Sequence, residues 1–339
     1  MPAILEAVHR AAAREDLSAA QAEAALEEIL TGGVSPALVA ALLVALRMKG
    51  EAVEEIVGFA RALRRRAEPV ECGPDPRPLV DTCGAGGDGA HTFNISTATA
   101  FVVAGAGARV AKHGNRSVSS RCGSADVLEE LGVQVARPAI EVARCIQEIG
   151  IGFMFAPAFH PAMRHVQPVR LELKMRTIFN ILGPLVNPAR AEFQVVGVFE
   201  PRLVRQVAEA LGRLGVRRGL VVHGSDGLDE ITTTGPTLAA VVQDGAVREE
   251  TLEPEDFGVT RGRPEDLRGG DRVENAAIIR AILRGETGPR RDIVVVNAAA
   301  ALVTAGMAAD WRAGVVLARE SIDSGRARAA LSGLVQFGS

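Results

Sequence analysis

The sequence predicts an α/β protein with a small N-terminal helical bundle domain and a large α/β domain that has a mainly parallel central sheet. Residues 1–66 show only helical periodicity, and the proline-rich stretch AEPVECGPDPRP at residues 67–78 predicts a linker. After the linker, short apolar runs alternate with helical stretches, which is typical of a parallel sheet flanked by helices. The chain of 339 residues is long enough for two domains. We therefore expect a helical domain in 1–68, completed by a segment near 167–190, and a large domain in 78–339.

Three helices are predicted in the N-terminal domain. The sequence SAAQ at residues 18–21 fits a capping box that opens a helix ending at Leu30. Ser35 can cap the next helix, because Pro36 fits its first position and an apolar helical face follows. Residues 50–66 form a third amphipathic pattern. These helices predict a small bundle whose broad apolar faces suit contact with a partner subunit.

In the large domain, apolar runs mark the predicted strands, and amphipathic stretches mark the predicted helices. The apolar runs are PLVD, ARVAKHG, IGFMFAP, FQVVGVF, GLVVHG and DIVVVNAAAAL. The predicted helices span residues 97–105, 124–131, 138–149, 201–214, 274–283 and 308–334.

Composition excludes several classes of protein. The formal net charge of −3 gives no reason to expect a nucleic-acid or membrane partner. No leader pattern and no apolar run of about 18 residues is found, which predicts neither export nor a membrane span. The cysteines lack CxxC spacing, so they indicate neither a zinc site nor a redox dithiol; they are Cys72, Cys83, Cys122 and Cys145. We expect a reduced, cytoplasmic, globular protein.

The stretch DTCGAGGDGAHTFNIST at residues 81–97 predicts a binding site for a phosphate group. It follows an apolar run and precedes a helix, and its glycines let backbone N–H groups turn toward a ligand. The first turn of the helix adds unpaired N–H groups and a favourable dipole. Neither common nucleotide motif is matched, so a plain strand-to-helix turn stays an alternative for this stretch alone.

A second stretch, KHGNRSVSSRCGSADVLEELG at residues 112–132, supplies many hydrogen-bond donors after a strand. Lys112 at the strand end would point a compact positive charge above the sheet. A solvated basic loop would not explain the hydroxyl groups packed between the basic residues. The stretch therefore favours an anionic ligand.

Two further stretches add an apolar basic pocket and a pair of acids. Residues 155–188 place basic side chains among apolar ones, which suits a small aromatic acid, although His160 and His165 could equally be structural. Asp229 and Glu230 follow a strand, and adjacent carboxylates of this kind suit Mg²⁺ together with substrate phosphates and water. A solvated turn stays open for the acids taken alone.

Taken together, the four stretches resemble the anthranilate phosphoribosyltransferases, a family of the nucleoside-phosphorylase-like phosphoribosyltransferase group. The order and spacing of the family motifs hold over nearly the whole chain. The motifs are GAGGD at 84–88, TFNIST at 92–97, KHGNR at 112–116, GSAD at 123–126, HPAM at 160–163, RTIFNILGPLVNP at 176–188 and DE at 229–230. Ala85 departs from the family's usual threonine. We expect this change to weaken binding of the phosphoribosyl donor at most, because the backbone N–H groups of the loop are kept.

The resemblance implies transfer of the phosphoribosyl group from phosphoribosyl pyrophosphate to anthranilate, with two Mg²⁺ per subunit and a homodimer formed through the helical domain. The cleft between the domains would hold the site, and 78–339 would be the phosphoribosyl-binding domain. The matched motifs imply catalytic roles for Lys112, His113 and Arg170. They imply metal binding by Ser96, Asp229 and Glu230. They imply anthranilate binding by Gly84, Asn115, His160 and Arg170. The implied donor-binding residues are Gly84, Gly87, Asp88, Thr92, Asn94, Ile95, Ser96, Thr97, Lys112, His113, Gly114, Asn115, Arg116, Ser117, Val118, Ser119, Ser120 and Ser124.

This chemistry agrees with the residue types. The leaving pyrophosphate is strongly anionic, so loop N–H groups and metal ions must neutralise it, and the amine of anthranilate is already neutral. Catalysis is then mostly charge stabilisation and positioning, while Arg170 can bind the anthranilate carboxylate through two hydrogen bonds. A pyrimidine nucleoside phosphorylase would lack the TFNIST segment and the DE pair. A non-catalytic nucleic-acid-binding relative would need a basic groove, against which the net charge speaks.

Overall fold

The computed structural model describes residues 1–117 and 121–338. Its N-terminal part holds four helices, not the three predicted: α1 Ala3–Ala12, α2 Ala19–Leu30, α3 Pro36–Lys49 and α4 Val53–Arg66. The helix that was not counted is α1, which begins at Ala3 after Pro2 without a capping side chain and buries only Ile4, Ala7 and Ala11. Two alanines in a buried stripe of three give a weak apolar signal.

The predicted caps are confirmed. The Ser18 hydroxyl accepts a hydrogen bond from the Gln21 N–H at 3.3 Å, and the Gln21 side chain accepts one from the Ser18 N–H at 3.0 Å. The Ser35 hydroxyl accepts from the Leu38 N–H at 3.4 Å, with Pro36 at the first helical position. These bonds satisfy N–H groups that the starts of α2 and α3 leave without helical partners.

The large part is a seven-stranded sheet, as counted over the described residues, with helices on both faces. Its strands are β1 Leu79–Thr82, β2 Arg109–Gly114, β3 Ile151–Phe155, β4 Phe193–Gly197, β5 Arg218–Gly224, β6 Thr237–Gln243 and β7 Ala246–Leu252. The order is β3-β2-β1-β4-β5-β6-β7, with β1 to β5 parallel and β6 and β7 antiparallel. The prediction of a mainly parallel sheet is confirmed, but the β6–β7 hairpin was not predicted.

The helices of the large part are α5 Ile95–Gly105, α6 Ser124–Glu130, α7 Ala139–Glu148, α8 Ala156–Phe159, α9 Gln167–Leu173, α10 Phe179–Leu182, α11 Arg202–Arg213, α12 Arg272–Leu283, α13 Pro289–Thr304, α14 Trp311–Asp323 and α15 Arg326–Gln336. Six predicted helical stretches of the large part are helices, with small shifts at their ends, whereas α8, α9 and α10 were not predicted and α13 was predicted as a strand. The C-terminal stretch predicted as one helix is two, because Gly325 adopts a left-handed φ of +80° between α14 and α15. No described helix is long and apolar enough to span a membrane.

The apolar run DIVVVNAAAAL, which was predicted as a strand, belongs to helix α13. Most of this helix is buried, including Val295 and Ala299, and it packs against α5 and α14. A helix that is apolar all round carries no 3.6-residue pattern, so its sequence cannot be told from a buried strand by periodicity. The run of alanines, which favour helix, was the available signal.

The apolar core of α1 to α4 continues into the middle of the chain. Val166, Ile178 and Leu185 pack in the same cluster as the helical bundle, as do Val204 and Val207 of α11. The helix α9 packs against α3. Residues 67–78 contain no helix or strand. The bundle therefore packs on residues from the 155–188 stretch as well as on α11.

The strand order creates a crevice beside β1. The chain runs from β1 outward to β2 and β3, and then returns to β4 on the opposite side of β1. In open α/β sheets, ligands bind at the carboxyl ends of the strands where the order reverses in this way. The carboxyl ends of β1 and β4, with the loops that follow them, are therefore the place to look for a site.

Candidate functional site

The glycine loop follows β1 at this crevice. Gly86, Gly87 and Gly89 have φ angles of +67°, +77° and +74°, a left-handed conformation that favours glycine. The N–H of Ala85 donates to the carbonyl of Gly197 at 2.8 Å, which ties the loop to the end of β4. The loop thus crosses the point where the strand order reverses.

Asp229 joins the glycine loop to β4. Its carboxylate accepts a hydrogen bond from the Gly86 N–H at 2.7 Å. A Cβ atom at Gly84 would overlap the Asp229 carboxylate, and one at Gly197 would overlap its backbone carbonyl. Asp229 can lie here only because both positions are glycine. Gly197 ends β4 and belongs to no local sequence motif, so its role depends on the fold.

Negative charges act on one another at the crevice, because Asp229 is influenced by Asp88 and Glu230 is influenced by Asp229. Burial, followed by the charge of Asp88, raises the pKa of Asp229 to about 7. Burial, followed by the charge of Asp229, raises the pKa of Glu230 well above its usual value, while Lys112 opposes this shift. In the described part of the chain, no three His, Cys, Asp or Glu side chains converge on one point. This arrangement suits Mg²⁺, which takes one or two protein carboxylates and completes its shell with phosphate and water.

Lys112 connects the end of β1 with the start of α5. Its Nζ atom donates to the Thr82 carbonyl at 2.6 Å and to the Ser96 hydroxyl at 3.4 Å, and the residue is buried. The side chains of Ile95 and Thr97 are buried at 1% exposure each, so only their backbone can face a ligand. The N–H groups in the first turn of α5 thus lie beside a fixed positive charge, which favours an anion.

The neighbouring loops contain other residues that are predicted to bind the phosphoribosyl donor. The Asn94 side chain donates to the Cys122 carbonyl at 3.1 Å, and Thr92 pairs through its backbone with Arg268. Asp88 accepts from the Ala90 N–H at 3.2 Å. These contacts place the start of α5 against the segment that precedes α6.

The loop after β2 folds back on α6. The Ser124 hydroxyl accepts from the Asn115 N–H at 3.2 Å, and a Cβ atom at Gly114 would overlap that hydroxyl. Arg116 pairs with Asp126 at 3.0 Å and with Glu129 at 2.7 Å, so its charge already has partners. Asp126 also accepts from the Ser117 N–H at 3.1 Å. Three residues that are predicted to bind the phosphoribosyl donor lie outside the described residues: Val118, Ser119 and Ser120.

His113 and His160 are buried beside each other, with ring centroids 5.1 Å apart in an edge-to-face arrangement. The Nδ1 atom of His113 hydrogen-bonds the Gly183 carbonyl at 3.1 Å. Burial, assisted by His160, lowers the pKa of His113 to about 3, and burial lowers the pKa of His160 to about 4. Both rings are therefore neutral at pH 7. They can shape a pocket and hydrogen-bond, but they do not contribute positive charge.

Arg170 lies on α9, away from these contacts. Its guanidinium lies 5.5 Å from the ring centroid of Phe179 and donates weakly to Gln167 at 3.5 Å. Burial lowers the pKa of Arg170, and none of the described carboxylates pairs with it. A half-buried guanidinium without a counter-ion suits an anionic ligand, because pairing with one would offset the cost of its burial.

Arg176 links the glycine loop to the helical bundle, a role the sequence analysis missed. Its guanidinium donates to the Gly87 carbonyl, lies 4.3 Å from the ring centroid of Phe199 and pairs with Glu200 at 3.8 Å. Glu200 also pairs with Arg47 of α3 at 3.4 Å. A chain of polar contacts thus runs from α3 to the loop. It joins residues far apart in sequence, so no local motif could have indicated it.

Comparison with known proteins covers both parts of the chain. The helical bundle domain of a glycosyl transferase family matches residues 5–67, and the α/β domain of a glycosyl transferase family matches residues 76–328. Anthranilate phosphoribosyltransferase from Solibacter usitatus is 56% identical over 334 residues, covering 98% of each chain.

Solved structures agree with these matches. Anthranilate phosphoribosyltransferase from Thermus thermophilus is similar with a TM-score of 0.91 and 48% identity, over 98% of both chains. The protein of that name from Saccharomyces cerevisiae, in complex with PRPP and Mg, has a TM-score of 0.88 and 28% identity. That likeness covers 98% of this chain and 96% of the yeast chain.

Proposed function

The chain belongs to the anthranilate phosphoribosyltransferase family, and we propose that the crevice at the ends of β1 and β4 is where it carries out the reaction of that family. The enzyme is a pentosyltransferase of tryptophan biosynthesis that joins anthranilate to the phosphoribosyl group of phosphoribosyl pyrophosphate and releases pyrophosphate. The hydrogen bond between the Gly86 N–H and the Asp229 carboxylate carries the proposal for the site. It places a metal-binding group against a loop suited to phosphate.

The donor would lie between the glycine loop and the start of α5. The left-handed glycines let loop N–H groups turn toward the pyrophosphate, apart from those of Ala85 and Gly86, which already donate to Gly197 and Asp229. Lys112 holds its charge beside the first turn of α5 through the Thr82 carbonyl and the Ser96 hydroxyl. The remaining donor contacts are assigned to the set given above from the motifs, which includes Gly84, Gly87 and Asp88.

Asp229, Glu230 and Ser96 are the proposed metal ligands, with two Mg²⁺ per subunit. The raised pKa of both acids supports a metal site. Burial and neighbouring carboxylates raise it, so a bound cation would stabilise the ionised acids. When bound, Mg²⁺ would neutralise charge on the leaving pyrophosphate. Asp229 would orient the loop as well, because its carboxylate also accepts from Gly86.

The acceptor would bind near α9. Arg170 would offer two parallel N–H groups to the anthranilate carboxylate, and Asn115 and Gly84 are assigned to the acceptor from the motifs. His113 and His160 would form a neutral wall for the aromatic ring, since burial lowers the pKa of both. Because the amine is neutral already, positioning it against the sugar carbon is the main contribution of these residues.

The loss of anthranilate fluorescence upon addition of phosphoribosyl pyrophosphate tests the activity. We expect turnover with Mg²⁺ and a loss of at least about 100-fold after chelation, because neutralisation of developing charge by a metal supplies much of the rate in such reactions. A pyrimidine nucleoside incubated with inorganic phosphate is the control for the phosphorylase alternative. Cleavage of that nucleoside without turnover of anthranilate would contradict the proposal.

The pH dependence of Mg²⁺ binding tests the metal site separately. Because the folded protein raises the pKa of Asp229 from 3.8 to about 7, the folded state binds more protons than the unfolded state between those pH values, and metal-free stability falls as pH rises across that window. Mg²⁺ binds the ionised form. We therefore expect the rise in melting temperature caused by Mg²⁺ to be larger at about pH 8 than at about pH 6, by about 2 °C or more. Thermal unfolding of wild type and of Asp229→Asn measures this, and an equal rise at both pH values in wild type would refute it.

A homodimer through the helical domain, in the cytoplasm, completes the proposal. A cleft of about 540 Å³ between α1 and α3 is lined mainly by alanines, and Met48 beside it is 70% exposed. Small apolar side chains let two helices approach closely, and an exposed apolar face of this kind suits a second copy. The Arg14 and Lys49 side chains would lie at its rim.

Substitution in this cleft is expected to give a monomer. Ala41→Glu would bury a carboxylate in the proposed interface, which is unfavourable without a partner charge. Light scattering after size exclusion should give a dimer mass for wild type and a monomer mass for the variant. Ala24→Glu, an exposed position of α2 outside the cleft, is the matched control and should remain dimeric. A dimeric Ala41→Glu would show that the interface lies elsewhere.

A further inference from the structure

A basic site separate from the catalytic crevice lies beside α4. A cleft of about 650 Å³ opens between α4, the loop after residue 187 and the carboxyl end of α11. Five arginines line it, against one glutamate: Arg61, Arg64, Arg65, Arg190, Arg213 and Glu23. The chain as a whole has more acidic than basic residues, so this local excess is not a consequence of composition.

The positive charges in the cleft are only partly compensated. Arg65 pairs with Glu23 and Arg213 pairs with Glu54. Arg61 and Arg190 have no ion pair among the side chains that the structure describes. Two guanidinium groups thus line the cleft without an ion pair, although the positive charge of Arg61 also acts on Glu54, the partner of Arg213.

Arg64 occupies the floor of the cleft without a carboxylate partner. Its guanidinium is held by the carbonyls of Leu185 at 2.7 Å and Leu214 at 2.8 Å. Burial, followed by the charge of Arg190, lowers the pKa of Arg64 to about 10. The two arginines therefore repel each other, although carbonyl hydrogen bonds fix one of them in place. A bound anion would remove that repulsion.

We propose that this cleft is a second ligand site that binds a small phosphate-bearing anion with at least two negative charges. Guanidinium groups bind phosphate oxygens through paired hydrogen bonds, and several of them around one cleft suit more than one charge. The volume lies in the usual range for small-molecule sites, about 300 to 1,000 Å³, which favours a metabolite over a nucleic acid. The glycine loop, Lys112 and the carboxylates of the catalytic crevice do not line this cleft.

A ligand here would hold the two parts of the chain together. Arg61, Arg64 and Arg65 belong to α4 of the helical bundle, whereas Arg190 and Arg213 belong to the large part. An anion shared by both sides replaces arginine–arginine repulsion with attraction. Binding would therefore stabilise the observed packing of α4 on α11, since a ligand that binds only the folded form raises its stability.

Calorimetric titration with inorganic pyrophosphate in the presence of a chelator tests the site. The double variant Arg61→Gln/Arg190→Gln removes the two unpaired charges, and Arg284→Gln/Arg328→Gln removes two exposed charges, at the end of α12 and on α15, as the matched control. We expect the first variant to lose about tenfold or more in affinity for one of two bound anions, because hydrogen bonds between ions are worth at least that factor. The control should bind as wild type does, and both variants should keep the wild-type turnover of anthranilate.

Identical isotherms for all three proteins, or equal losses in both double variants, would overturn the proposal, because either result means that the cleft binds no anion specifically. Crystals grown with pyrophosphate give a second measure that does not depend on the variants. Density between Arg64 and Arg190 is expected, and density confined to the glycine loop would overturn the assignment.

Discussion

Replacing Asp229 with alanine is expected to lower kcat/KM for phosphoribosyl pyrophosphate by about 1,000-fold or more, the largest effect among the variants considered. The substitution removes a proposed metal ligand, so the charge that develops on pyrophosphate loses part of its compensation. It also removes the acceptor of the Gly86 N–H, which fixes the glycine loop 143 residues away. Both losses act on the same step.

The variant Asp229→Asn separates these two contributions. Asparagine keeps an oxygen that can accept from the Gly86 N–H but lacks the charge that binds Mg²⁺. If charge dominates, Asn and Ala variants should be about equally impaired, and neither should respond to added Mg²⁺. If loop anchoring dominates, the Asn variant should keep most of its activity. Steady-state rates against Mg²⁺ concentration distinguish the cases, and wild-type activity in Asp229→Ala would refute the metal role of this residue.

How well a strand of the sheet could be predicted from the sequence depends on how deeply it is buried. The strands β1, β2, β4 and β5 are mostly buried, so each contains a short apolar stretch, such as Val-Val in β4 and Leu-Val-Val in β5, that marks it in the sequence. The strand β7 is mostly exposed and reads Ala-Val-Arg-Glu-Glu-Thr-Leu, with charges at its centre. Such a strand is defined by pairing with β6 across the turn at Asp244 and Gly245, and not by its own composition.

The site was predictable only where its residues lie close together in sequence. The glycine loop, the KHGNR segment and the DE pair are short motifs whose chemistry can be read locally. The support behind them is not local: Gly197 makes room for Asp229, and Arg176 joins Gly87 to Glu200. Those contacts follow from the order of the strands and from where the helical bundle packs on the rest of the chain. A single sequence contains no pattern that specifies them.

The two histidines show the limit of assigning a role from a residue type. A histidine beside a substrate is commonly expected to move protons near neutral pH. Here burial lowers the pKa of His113 to about 3 and the pKa of His160 to about 4. The degree of burial depends on how residues 155–188 pack on the end of β2, which the sequence does not state. A neutral pair suits an aromatic ligand better than an anionic one.

Replacing Arg170 with alanine is expected to raise KM for anthranilate by about 100-fold, with little change in KM for phosphoribosyl pyrophosphate. The guanidinium is half-buried over Phe179 and has no carboxylate partner in the described structure, so the substrate carboxylate would be its counter-ion. Loss of a paired, charge-assisted hydrogen bond at a buried position costs about 3 kcal/mol, which corresponds to a factor of about 100. Initial rates over a range of both substrates measure the two KM values.

Aniline tests whether Arg170 acts on the carboxylate. It keeps the aromatic amine but lacks the carboxylate, so wild type and Arg170→Ala should use it with equal, low efficiency. Arg164→Ala, an exposed arginine on the same segment, is the matched control and should behave as wild type with both acceptors. Arg170→Lys should recover only part of the loss, because lysine keeps the charge without the two parallel donors. An equal loss with both acceptors would mean that Arg170 supports the packing of Phe179 and does not select the acid.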